Sequence, residues 1–178
     1  MERLEALEVV RPRSLSSKQQ DDMGDARQSI LLVEDSSDDQ ELTILALKES
    51  GVLNPVIVAH DGPEALDYLF GRGAFAGRDP LDVPAVMLLD LKLPKLNGLE
   101  VLKQVRAAES TRLLPVVILT SSIQEDDLVN AYRAGCNSYI RKSMDFEKFR
   151  FAVQQAGLYW LVVNEGSPRP RAGTNAPR

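Results

Sequence analysis

The chain has 178 residues, 44% of them hydrophobic, a formal charge of -5, one cysteine and one histidine. That length allows a single domain with a real core, while lone Cys136 and lone His60 exclude an internal disulfide, a multi-histidine metal centre and a histidine relay. Residues 29–165 carry 13 Lys+Arg against 20 Asp+Glu, which excludes a basic nucleic-acid-binding body, and no apolar run approaches the roughly 20 residues of a membrane span.

Residues 1–28 mix both charges without sustained periodicity and read as a flexible leader, with Met23 a candidate alternative start. No basic-then-apolar signal peptide opens it, so a reducing, cytoplasmic location is expected. The body is 29–165. It alternates short apolar runs with longer amphipathic segments. The runs are SILLVED (29–35), NPVIVAH (54–60), PAVMLLD (84–90), LPVVILT (114–120) and NSYIRK (137–142), and all but the last lack polar alternation, the pattern of strands covered on both faces. Helix starts are predicted where a short polar residue precedes Glu or Gln by three, at Ser37 to Gln40, Asn97 to Glu100 and Ser122 to Glu125. Leu42, Leu45 and Ala46, then Leu99, Leu102 and Val105, keep helical spacing after them. His60 ends an apolar run as a plain loop residue, and Cys136 reads as a small buried hydrophobe. Residues 166–178 add three arginines and no acid, a disordered basic tail.

Five strands alternating with five helices predict an α/β fold with a doubly wound parallel sheet. Ligands then bind outside the carboxyl ends of the strands. Those ends carry Glu34 and Asp35, Asp90, Thr120 and Ser121, and Lys142. Taken singly, each is ordinary: a cap, a loop acid, a solvated lysine. Together, three carboxylates in one crevice repel one another unless a cation joins them. With oxygen ligands and no histidine or thiolate cluster, magnesium suits the set better than zinc or iron. A carboxylate that can attack phosphorus, beside a metal, a lysine and a hydroxyl, suits phosphoryl transfer.

The segments LLVEDSSDD, VMLLDLKLPKLNGLEVLKQVR, PVVILTSS and AGCNSYIRKSMDFEKF resemble the signature segments of the response-regulator receiver domain of two-component signalling, over about residues 29–165. The resemblance implies a flavodoxin-like (βα)5 fold with strand order 2-1-3-4-5. It makes Asp90 the phosphoacceptor for a histidine kinase, with Glu34, Asp35, Asp90 and the Lys92 backbone carbonyl holding Mg2+. Thr120 becomes the switch hydroxyl, Ser121 a small neighbour admitting phosphate, Tyr139 an aromatic switch and Lys142 the pocket lysine. The long connection YLFGRGAFAGRDPLDVP and the DFEKF helix opening resemble stand-alone receivers that serve phytochrome-type kinases. One position departs from the pattern: Ser143 stands where the family has proline. A trans Lys142–Ser143 bond and a less rigidly placed lysine are expected, since a non-proline cis bond costs about 2.5–4 kcal/mol.

No effector follows residue 165, so output is expected through protein contact with a downstream partner. On the last helix, about 145–163, Phe146, Phe149, Val153 and Trp160 form a stripe towards the sheet. Phe151, Leu158 and Val162 form a second one. That surplus predicts a homodimer through the face of the fourth helix, fifth strand and fifth helix. Two rivals compete with this reading. A haloacid-dehalogenase-type phosphatase needs a second aspartate two residues after Asp90, where this chain has Lys92. A pseudo-receiver that binds partners without phosphorylation would not need the intact acidic, hydroxyl and lysine set.

Overall fold

A computed structural model describes residues 28–166. The expected leader and basic tail, and Met23, lie outside them, apart from the inner edges Gln28 and Gly166. In chain order the elements are β1 (Ile30–Val33), α1 (Ser37–Glu49), β2 (Val56–Ala59), α2 (Gly62–Phe70), β3 (Val86–Leu89), α3 (Gly98–Ala107), β4 (Val116–Thr120), α4 (Glu125–Arg133), β5 (Ser138–Arg141) and α5 (Phe146–Leu158). A short 3-10 turn, Gly73–Phe75, follows α2, and a π-helical turn, Tyr159–Val163, extends α5. The sheet is parallel throughout with order β2-β1-β3-β4-β5.

The central strands are apolar on both faces because both faces are covered. Leu31, Val33, Met87, Leu89, Val116 and Ile118 pack towards α2, α3 and α4 with Leu66, Leu69, Leu102 and Ala131. Their alternates Ile30, Leu32, Val86, Leu88, Val117 and Leu119 pack towards α1 and α5 with Leu47, Phe149 and Val153. Because the side-chain period is two, the residue after each strand inherits a face. Glu34, Asp90 and Lys142 thus leave β1, β3 and β5 on the α1/α5 side, and Thr120 ends β4 on the side of Tyr139.

Helix starts follow local chemistry, with two changes from expectation. Asn97 caps α3 as predicted, its side chain accepting from Glu100 N. At α1 the cap is Ser36, not Ser37; its side chain accepts from Asp39 N. At α4 the predicted Ser122 cap fails: the chain stays extended to Gln124, while Ser122 Oγ accepts from Gln124 N at 3.3 Å and binds Asp127 Oδ2 at 2.5 Å. Two packing positions also move. Leu45 is exposed, and Thr43, Ala46 and Leu47 form the buried face of α1 instead. Phe146 overhangs the first turn of α5 in solvent, while Phe149 and Val153 fill the core and Trp160 packs partly against it. Cys136 is buried, and His60 is an exposed loop residue paired with Glu64 at 3.0 Å. Among the described residues no helix is long and apolar enough to cross a membrane.

Candidate functional site

Four strand ends deliver the site. Glu34, Asp90 and Thr120 are buried at the top of the sheet, and Asp35 beside them is exposed. Lys142 reaches in from the end of β5. Its N–H donates to Thr120 O at 2.8 Å, and its Nζ lies 2.5 Å from Glu34 Oε2, 2.7 Å from Asp39 Oδ2 and 2.8 Å from Asp90 Oδ2. The lysine thus has three carboxylate acceptors. The Lys142–Ser143 bond is trans, as expected, since no described peptide is cis. The other Asp90 oxygen, Oδ1, accepts from Lys92 N at 3.0 Å, and Asp90 N donates to Val33 O at 3.0 Å.

The loop beneath Asp90 allows no side chain at Gly98, where a Cβ would stand 2.1 Å from Asp90 O and 2.8 Å from Leu91 Cα. A second tie comes from Asp61, the α2 cap, whose carboxylate takes the Lys95 ammonium. Lys95 sits at φ 65°, a left-handed conformation uncommon for a non-glycine residue.

One ammonium serves three carboxylates here, and the charges respond. Burial pushes the Glu34 carboxyl above the ordinary range, outweighing the lowering effect of its bond to Lys142. Burial alone would lower the pKa of Lys142, but its bonds to Asp39, Asp90 and Glu34 win and raise it above that of a free lysine. Negative charge remains in excess. Carboxylate oxygens of Glu34, Asp35 and Asp90 lie within 4.8 Å of one another, so an all-oxygen donor set with unneutralised charge matches a hard divalent cation such as magnesium.

Of the predicted site residues, the structure brings Glu34, Asp35, Asp90, Thr120 and Lys142 together, with exposed Ser121 next to Thr120 and Lys92 bonded to Asp90. The Thr120 hydroxyl accepts from Ser122 N at 3.2 Å, which leaves its own proton free to donate. Tyr139 is half-buried against the α2/α3/α4 core, and its hydroxyl is buried without a hydrogen-bond partner among the described residues. Phe151 and Val162 are 62% and 69% exposed on α5 and its extension, with Leu158 half-buried. Asp39 was not among the predicted site residues. No local signal singled it out, since Ser36 and Ser37 are equally good caps; Ser36 caps α1, with its Oγ accepting from Asp39 N, and the Asp39 carboxylate reaches Lys142.

The model of the response regulator receiver domain matches residues 30–154. Response regulator Rcp1 of Synechocystis is 36% identical over 132 residues, covering 74% of this chain and 88% of Rcp1, and its Mn2+-bound crystal structure superposes with a TM-score of 0.73 at 34% identity, covering 79% and 99% of the two chains. The phosphorylated cyanobacterial phytochrome response regulator RcpA gives a TM-score of 0.74 at 36% identity, covering 80% of this chain and 100% of RcpA. The bacteriophytochrome response regulator RtBRR is 50% identical with a TM-score of 0.65, covering 80% and 85%.

Proposed function

We propose, from the premise that this chain belongs to the response regulator receiver family, that Asp90 takes a phosphoryl group from the phosphohistidine of a sensor kinase and that the phosphorylated domain signals through changed protein contacts. The observation that carries the reading is the setting of Asp90. It is a nearly buried carboxylate at a strand end, with one oxygen on a backbone N–H and the other on a lysine. In the transfer, an Asp90 oxygen forms a bond to phosphorus as the bond from phosphorus to the donor imidazole nitrogen breaks, and the electron pair stays on that nitrogen. Glu34, Asp35, Asp90 and the Lys92 carbonyl would hold Mg2+, which when bound supplies positive charge to the phosphoryl oxygens. Lys142 turns from Asp90 towards the incoming group, and Thr120 donates its free hydroxyl proton to a phosphoryl oxygen. The chain acts on no separate substrate; it assists its own phosphorylation and dephosphorylation.

The donor in this reading is a phytochrome-type kinase. RcpA and RtBRR are named for phytochrome systems and match most of the chain. The long connection after α2 also has its own structure, with Arg78 stacked 4.0 Å from the Tyr68 ring centre and bonded to Tyr68 O at 3.1 Å. A cytoplasmic setting goes with such a donor. A second copy of the chain covers Phe151, Leu158 and Val162, and sedimentation that stays monomeric at high concentration, with and without phosphoryl transfer, would remove that part. The phosphatase reading lacks its acid/base aspartate at Lys92.

The whole reading is tested with phosphoramidate, whose P–N bond imitates phosphohistidine. Intact mass should show one phosphoryl adduct on the wild type with Mg2+. A chelator and Asp90→Ala should each abolish it, and a wild type that stays unmodified would turn the assignment to a pseudo-receiver.

A further inference from the structure

Asp39 is the one carboxylate on Lys142 that stands outside the group able to share a metal. Glu34, Asp35 and Asp90 gather within 4.8 Å of one another, and two of them, Glu34 and Asp90, are also acceptors for the Lys142 ammonium at 2.5 and 2.8 Å. Ammonium and divalent cation thus compete for the same two carboxylates, and as like charges they repel at that separation. Asp39 accepts the ammonium too, at 2.7 Å, from a different direction: the first turn of α1. Its backbone N–H is fixed there by Ser36 Oγ at 3.3 Å. It is only partly buried, its side chain being 34% exposed, so its charge costs less to keep than that of Glu34, which is 2% exposed.

We propose that Asp39 is a positioning residue that receives the Lys142 ammonium when a divalent cation draws Glu34 and Asp90 to itself, so that metal and lysine are accommodated together beside Asp90. The inference rests on the reading of Glu34, Asp35 and Asp90 as the metal pocket. Without Asp39 the ammonium has no acceptor except the metal's own ligands, and the metal must displace it outright. Metal affinity then falls by more than the loss of one charge explains.

The neighbouring Asp38 supplies the comparison. It is exposed on the same helix turn and makes no bond to Lys142; its Oδ1 accepts instead from Ser37 Oγ at 3.5 Å. Asp38→Asn removes the same charge without touching the lysine. The experiment measures Mn2+ binding to the full chain by the loss of the free-ion electron paramagnetic resonance signal, with no phosphoryl donor present. Asp39→Asn is expected to weaken binding by at least about fivefold, the low end of ordinary coupling between two sites. Asp38→Asn should stay close to the wild type and approach it further at high salt, where exposed charges are screened. Asp39→Glu should regain most of the affinity, since it restores the acceptor. Equal weakening by Asp38→Asn and Asp39→Asn would reduce the effect to net charge and overturn the proposal, as would an Asp39→Asn chain that binds like the wild type. A wild type that takes up no Mn2+ overturns the metal pocket itself, and the two failures are therefore distinguishable.

Discussion

Lys142 is largely out of water and Arg106 partly so, at opposite ends of the same sheet, and their acceptors differ in kind. Lys142 at the carboxyl ends of the strands is shared by Glu34, Asp39 and Asp90. Arg106 near the C-terminus of α3 donates from Nε to Gly135 O at 2.8 Å, from Nη1 to Leu114 O at 2.8 Å and from Nη2 to Asn137 Oδ1 at 2.9 Å. Asn137 Oδ1 also accepts from Val116 N at 2.8 Å, tying β4 to the start of β5. The shifts run in opposite directions: bonds to carboxylates raise Lys142 over the opposing effect of burial, whereas burial lowers Arg106. At the Arg106 end, three neutral acceptors are matched to three N–H donors of one cation, with no carboxylate there to compete for it among the described residues. At the Lys142 end negative charge is in excess, so a metal or a phosphoryl group can be admitted by redistributing bonds that already exist. The first end is set to stay as it is, and the second to redistribute its bonds.

The sharpest break between them is expected from Lys142→Met, which strands buried Glu34 and Asp90 without a counter-ion. Removing one partner of a buried ion pair costs about 3–5 kcal/mol, so urea denaturation should show a loss of that order, with phosphorylation also lost. Mg2+ should restore the stability of this variant more than it raises that of the wild type. Arg106→Met is expected to cost less, about 1–3 kcal/mol for backbone acceptors left short of donors, and to leave the phosphorylation rate of the folded fraction unchanged. Were Arg106→Met to abolish phosphorylation in a fully folded sample, the separation of the two ends would fail.

A smaller effect has the opposite sign. Burial raises the carboxyl of Glu34 above its ordinary range, so folding disfavours its ionised form. Its contribution to stability is fully present below the unfolded value of about 4.3 and is lost as pH rises through the folded one. At pH 7 that loss is in force. Glu34→Gln should therefore melt at a higher temperature than the metal-free wild type at pH 7, with the gap closing towards pH 4, while binding Mn2+ more weakly. A variant less stable at neutral pH would show that the bond to Lys142 outweighs burial. The smallest effect concerns Cys136 beside Arg106, whose thiol is pushed up by burial. It should react slowly with a disulfide reagent at pH 8 in the native domain and fast once unfolded.

The strand ends were legible in the sequence because apolar runs covered on both faces stop abruptly, and the polar residue after each stop must lie on the rim. That argument places Glu34, Asp90 and Thr120 without knowledge of their contacts, while Lys142, at the end of the less apolar NSYIRK run, is placed by the alternation of strands and helices alone. Asp39 was not legible from it, since Ser36 and Ser37 are equally good caps and choosing the wrong one rotates the turn by about 100°. Ser122 misled for a related reason: its hydroxyl can bond Asp127 across the turn and so need not start the helix. The Arg106 bonds to Gly135 and Asn137 and the Asp61–Lys95 pair join residues 29 to 34 positions apart, and no local pattern distinguishes such cations from solvated ones.

The central claim is that phosphoryl transfer ends on Asp90. It is tested most directly by treating the Mg2+ and phosphoramidate reaction with borohydride, which reduces an acyl phosphate of aspartate to homoserine, and reading the position by peptide mass spectrometry. The account predicts homoserine at position 90 alone, in an amount that follows the phosphoryl adduct. Homoserine at Asp35 or Asp39, or an adduct that leaves position 90 as aspartate, would contradict it.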